Sequence, residues 1–162
     1  MMKTRTLAIS GIIGALYVAV MIVVAPFGFT NIQFRLAEIF NHLVVFNKKY
    51  FAGIVIGVFV SNLLLSEVGP IDLLFGVGHT IISLSITILL VRKISSPVIR
   101  MLVNTAVFTT TMCIISWQLH LVLGFPFWIT LGYLAISECI VMAIGIPLMH
   151  ALNKRLPLAK LI

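Results

Sequence analysis

Apolar residues fill this chain in long runs, and polar residues interrupt them in short clusters. A transmembrane helix needs roughly 20 predominantly apolar residues to cross about 30 Å of hydrocarbon. Six segments fit that pattern: Thr6–Ala25, Asn31–Phe46, Tyr50–Ser66, Ile71–Val91, Met101–Leu123 and Phe127–Ala151. The expected fold is therefore an all-α integral membrane protein, a single domain of six transmembrane helices over residues 1–162. The second and third segments are short for perpendicular spans, which local thinning of the bilayer can accommodate. Punctuating residues mark the divisions: Pro26-Phe27-Gly28, Glu67-Val68-Gly69-Pro70, Ser95-Ser96-Pro97 and Gly124-Phe125-Pro126. Proline removes a helix hydrogen bond and glycine loosens helical order, so both favour breaks.

The placement of charge orients the bundle. Of 11 Lys and Arg residues, all but Arg35 fall in four clusters: Lys3/Arg5, Lys48/Lys49, Arg92/Lys93/Arg100 and Lys154/Arg155/Lys160. Six spans put these clusters and both termini on one side, which the positive-inside rule makes cytoplasmic. The opposite loops hold Glu67 and Asp72 and no Lys or Arg. The net charge of +7 is then an orientation signal and calls for no nucleic-acid partner. A content of 61% hydrophobic and 9% charged residues excludes a soluble domain. The first segment has the outline of a secretory signal, but the spans that follow it favour an uncleaved first helix. Cys113 and Cys139 have no Cys-x-x-Cys spacing and read as small packing residues. There is no G-x-x-x-x-G-K-[ST] phosphate loop, metal motif or nucleophile elbow. A non-enzymatic protein without cofactor or metal is expected.

Depth follows from about 1.5 Å of rise per residue. Arg35 and Glu38 fall in the outer half of the second segment, and Asp72 at the outer mouth of the fourth, with His79 about 10 Å deeper. Asn62, Trp117, Gln118 and His120 come near the outer face, and Glu138 near the midplane. At 100° per residue, Arg35, Glu38 and His42 share one stripe, with Asn31 joining it, and Asp72, Gly76, His79 and Ser83 share another. Such stripes must face protein or water, because lipid satisfies no polar group. Gln118 and His120 point to opposite faces.

Each candidate has two readings. Arg35 and Glu38 form either an i,i+3 ion pair that locks the bundle or a ligand contact. The rule that intramembrane ions are functional favours the ligand. Asp72 either caps the fourth helix or lines a site. Glu138, with no basic residue near it on its own helix, needs a ligand or an inter-helix partner. His79 and Gln118 serve packing or the site. Trp117 and Trp128 belong to an outer aromatic belt or form a platform for a flat ligand. On the first helix, Ala8, Gly11, Ala15 and Ala19 form a small-residue stripe. Small-xxx-small spacing permits close helix approach, within the bundle or to another membrane protein.

Several of these residues resemble a known family. The run Ile32-Gln33-Phe34-Arg35-Leu36-Ala37-Glu38 resembles the I-Q-F-R-x-x-E signature of the queuosine-precursor transporter family, QueT. Ala52-Gly53-x-x-x-Gly57 with Asn62, and Asp72-Leu-Leu-Phe-Gly76 with Thr80, are similar to its next two blocks. Ala15-Leu-Tyr-Val-Ala19 resembles the A-x-x-x-A element by which such proteins dock, and Glu138 the acid of their last helix. The resemblance implies the substrate-binding S component of an energy-coupling factor transporter in the plasma membrane. Its implied partners are a transmembrane scaffold subunit, two ATPase subunits, membrane lipid and a small 7-deazaguanine ligand such as preQ1, preQ0 or a queuine-type base. Depth, helical phase and side-chain chemistry, taken together with this resemblance, give the candidate substrate-binding set Arg35, Glu38, Asn62, Asp72, His79, Trp117, Gln118, Tyr133 and Glu138. The small-residue stripe and this resemblance together give the candidate docking set Gly11, Ala15 and Ala19. A carboxylate such as Glu138 or Glu38 would accept two adjacent N–H donors of a guanine-like edge, with Phe34, Trp117 or Tyr133 stacking on the ring. One arginine against three acids favours a cationic aminomethyl base over a neutral nitrile. An S component for another vitamin, a free-standing channel or carrier, and a structural subunit remain as alternatives.

Overall fold

The computed structural model describes residues 4–25, 35–66 and 68–162. Lys3, Pro26-Phe27-Gly28, Asn31, Ile32-Gln33-Phe34 and Glu67 lie outside the described residues. Among the described residues the chain is all-helical in class, with short turns between helices and no strand. The helices are α1 (Thr4–Val23), a 3-10 helix (Leu36–Val45), α2 (Tyr50–Leu65), α3 (Pro70–Leu90), α4 (Pro97–Thr111), α5 (Cys113–Leu123), α6 (Phe127–Arg155) and α7 (Leu158–Leu161).

Four stretches are long and apolar enough to cross a membrane: Thr4–Val23, Pro70–Lys93, Pro97–Leu123 and Phe127–Arg155. The chain is a multi-pass membrane protein. The remaining two of the six expected spans are shorter, Leu36–Val45 and Tyr50–Leu65. In the first of these, 3-10 winding advances about 2 Å per residue, so it covers more depth per residue than an α-helix. The fifth expected segment begins earlier than its hydropathy suggested. Pro97 occupies the first turn, and the Ser96 hydroxyl caps it by accepting from the Ile99 amide. The segment also breaks at Met112, just after the Thr110 and Thr111 hydroxyls turn back onto carbonyls of the preceding turn. Such back-bonding bends helices. The sixth runs on to Arg155 with Pro147 inside it.

The bundle is apolar inside and out. Tyr17, Ile54, Val58, Leu84, Phe108 and Met142 fill the core, while Leu7, Ile12, Leu74, Ile136 and Leu148 lie on the outer surface, where lipid covers them. Both cysteines are free and exposed, not packed in the core. The most extensive helix contact joins α1 to α2. A Cβ on Gly53 would sit 2.8 Å from the Ser10 carbonyl oxygen, and one on Gly57 would sit 2.7 Å from Tyr17 Cβ. Glycine at both positions lets the backbones meet. This contact uses the Ser10/Gly14/Tyr17/Met21 face of α1. The opposite stripe, Ala8, Gly11, Ala15 and Ala19, stays exposed.

Basic segments meet at one end. Asn47 Nδ2, beside Lys48, donates to the carbonyls of Ala159 (3.0 Å) and Ile162 (3.3 Å). Arg100 Nη1 donates to the Val45 carbonyl at 3.1 Å.

Candidate functional site

The 3-10 winding of Leu36–Val45 decides which side chains converge. At three residues per turn, positions three apart eclipse. Glu38 and Asn41 therefore share a face, and Asn41 Nδ2 donates to Glu38 Oε2. The expected stripe of Arg35, Glu38 and His42 needs 100° per residue, and the 3-10 winding does not keep it. His42 turns away and is held between α4 and α6. Asn104 Nδ2 donates to His42 Nδ1 (3.2 Å), so Nε2 carries the hydrogen that meets the Met142 carbonyl at 2.9 Å. Asn104 in turn accepts from the Thr87 hydroxyl at 2.8 Å. His42 is thus a satisfied core residue.

Glu38 is the centre of the buried polar group. Its Oε1 accepts from the Tyr17 hydroxyl at 2.8 Å and lies 3.6 Å from Arg35 Nε. Arg35 Nη2 donates to Asn62 Oδ1 at 2.7 Å. Asn62 Nδ2 donates onward to the Asp72 carbonyl at 3.3 Å. The Asp72 carboxylate accepts from Gln118 Nε2 at 2.9 Å. Arg35, Glu38, Asn62, Asp72 and Gln118 therefore form one chain of contacts across four helical elements. All five are at most 6% exposed. Gly76 makes room for it, since a Cβ there would collide with Asn62 Nδ2.

Glu138, on α6, is 3% exposed and close enough to Glu38 and Arg35 to interact with both charges. Its Oε1 has no hydrogen-bond partner among the described residues, nor have Asn41 Oδ1 and Gln118 Oε1. Three acceptors around this polar group are thus buried without a hydrogen-bond partner. An unmet buried acceptor costs about 1–3 kcal/mol, more when charged. The arrangement therefore suits a guest rich in N–H donors.

The other expected site residues divide. His79 is buried next to this group, but its Nε2 pairs with the Thr111 hydroxyl at 3.0 Å and its ring packs edge-on against Phe108 at 5.5 Å. The structure gives it a packing role. Asp72, Gly76, His79 and Ser83 do share one buried face. Trp117 and Tyr133 are not brought in: they are 52% and 56% exposed. Trp117 lies one residue from Gln118 and so points about 100° away from it. It packs against His120 and Phe127 at the surface. Sequence reasoning missed Tyr17 and Asn41. Tyr17 sits at helical spacing from Ser10 and Gly14, on the face of α1 opposite the small-residue stripe, and that spacing was the available signal. Asn41 was hidden by the assumption of α-helical phase. Among the described residues no group of three His, Cys, Asp or Glu side chains could hold a metal ion.

A multi-pass bundle that buries charged side chains at its centre has the character of a membrane transporter, since charge inside the membrane is costly and is kept for function. The chain belongs to the QueT transporter family, whose model matches residues 7–154. It is similar to the queuosine precursor transporter QueT of Lactococcus lactis subsp. cremoris (strain MG1363), at 30% identity over 167 residues, covering 98% of each chain. No solved structure matches it.

Proposed function

We propose that this chain is the substrate-binding subunit of an energy-coupling factor transporter that imports a queuosine precursor, a 7-deazaguanine base, across the cell membrane. The observation that carries the ligand class is the set of open acceptors, Glu138 Oε1, Asn41 Oδ1 and Gln118 Oε1. The Watson–Crick edge of a guanine-like base offers adjacent N–H donors, which a carboxylate accepts in pairs. Glu138 takes that edge. Glu38, pinned by Tyr17, Asn41 and Arg35, lends negative potential, as does Asp72. One arginine faces three carboxylates, so a cationic aminomethyl base is preferred to a neutral nitrile. The name of the Lactococcus relative supports the same ligand class.

In this reading the 3-10 helix and α2 also span the bilayer, which gives six spans with both chain ends cytoplasmic. The exposed stripe Gly11/Ala15/Ala19 docks to the scaffold subunit, which brings two ATPase subunits. Supporting this, nothing lies within 4 Å of a Cβ built on Gly11, so the stripe is not used up in internal packing. Mass spectrometry of small molecules released from purified protein, after growth with an aminomethyl 7-deazaguanine, tests the reading. Recovery of that base at near-equal molar ratio is expected. Recovery of a different vitamin, or of none from protein that remains folded, would refute it.

A further inference from the structure

The basic end of the bundle contains a cavity of about 300 Å³ whose lining includes Lys48, Arg92 and Arg100. These cations come from three places: the turn before α2, the 3-10 turn after α3, and the first turns of α4. No carboxylate lines the cavity, and the described acids Glu38, Asp72 and Glu138 belong to the buried site. Arg100 is already oriented. Its Nε donates to the Ile94 carbonyl at 2.6 Å and its Nη1 to the Val45 carbonyl at 3.1 Å. Those bonds fix the guanidinium plane and leave Nη2 uncommitted. An arginine held this way loses little further entropy on meeting an oxyanion. Lys48 and Arg92 are exposed and flank it. The floor, Val44, Ile88 and Val91, is apolar.

We propose that this cavity binds a phosphate-bearing anion, with Arg100 as the fixed donor and Lys48 and Arg92 as the flanking cations. Basic pockets between transmembrane helices at the cytoplasmic face suit phospholipid headgroups. The apolar floor adds a surface for the glycerol and upper acyl chain of an anionic lipid. A free phosphate would use the same three cations without the floor. The proposal does not depend on which solute the central site carries.

The test uses full-length protein in nanodiscs and two matched double variants. Lys48→Gln with Arg92→Gln removes two cavity cations. Lys49→Gln with Lys93→Gln removes the same charge from neighbouring positions that do not line it. Retained phosphatidylglycerol is measured by native mass spectrometry against a phosphatidylcholine background. Thermal unfolding in phosphatidylcholine alone is measured with and without inorganic phosphate. Each cation near an anionic surface is worth roughly fivefold in affinity, so the cavity pair should cost about thirtyfold. Selective loss of phosphatidylglycerol in the cavity variant, with the neighbour variant unchanged, supports a lipid headgroup site. Phosphate stabilisation of wild type that vanishes only in the cavity variant supports a free-anion site. Equal losses in both variants, or no response to either anion in wild type, overturn the proposal.

Discussion

The Tyr17 hydroxyl donates to Glu38 Oε1 at 2.8 Å, joining α1 to the 3-10 helix across 21 positions of sequence. The bond depends on a packing choice elsewhere. Gly57 has no side chain, so α2 lets Tyr17 sit where a Cβ would otherwise collide with it. One face of α1 therefore orients a carboxylate of the central site while the opposite face remains exposed.

Tyr17→Phe should keep the fold and weaken both stability and ligand binding. Hydrogen bonds to charged groups contribute about 1.5–3 kcal/mol in water-soluble proteins and inter-helix bonds in membranes less, so a loss of ~1–2 kcal/mol is expected. Thermal unfolding in detergent should fall by a few degrees. An unchanged midpoint together with unchanged affinity would mean that Tyr17 does not hold Glu38.

Gly76→Ala should disrupt the site from a distance. The new methyl group takes the place of Asn62 Nδ2, so Asn62 must swing and release Arg35. Gly78→Ala, on the same helix with nothing within 4 Å of its Cβ, is the control. Equilibrium binding should drop about tenfold or more for the first variant and hold for the second, the scale of one lost hydrogen bond to a charged group. Equal behaviour of the two would remove the Arg35–Asn62 contact from the account.

Ala15→Arg should leave ligand binding intact and block assembly with a scaffold subunit. Ala15 is exposed and points away from the polar centre. Close helix approach needs small side chains, and an arginine there forbids it. Pull-down of the scaffold and ATPase subunits with wild-type and variant protein reads the effect. A variant that still assembles would place the docking face elsewhere.

Orientation is tested by labelling. A cysteine at Lys48 should resist an impermeant thiol reagent in intact cells, and one at Gly69 should react, because the basic end is expected to be cytoplasmic. The background is the exposed native pair Cys113 and Cys139, which must be replaced first. The reverse pattern would invert every depth assigned above.

The helical class, the apolar outer surface and the convergence of Arg35, Glu38, Asn62, Asp72, Gln118 and Glu138 were legible in the sequence. Charge inside an apolar run is costly and therefore conspicuous. What was not legible came from backbone geometry and from neighbours distant along the chain. Hydropathy does not distinguish 3-10 from α winding, yet that difference exchanged His42 for Asn41 beside Glu38. Tyr17 reads as an ordinary core aromatic until the Gly57 contact places its hydroxyl. Trp117 and Tyr133 were grouped with the site by depth and chemistry, and depth says nothing of which way a side chain faces.

The central claim is that Glu138 is an open acceptor for the donor edge of a guanine-like base. Calorimetric titration of wild type and Glu138→Gln with an aminomethyl 7-deazaguanine and its neutral nitrile counterpart tests it most directly. An amide offers one acceptor oxygen where the carboxylate offers two, puts a donor in place of the other, and carries no charge. Affinity for both should fall roughly tenfold to a hundredfold, from a loss of about 1.5–3 kcal/mol, with the larger loss for the cationic base. Undiminished affinity for both ligands would contradict the account and take Glu138 out of the site.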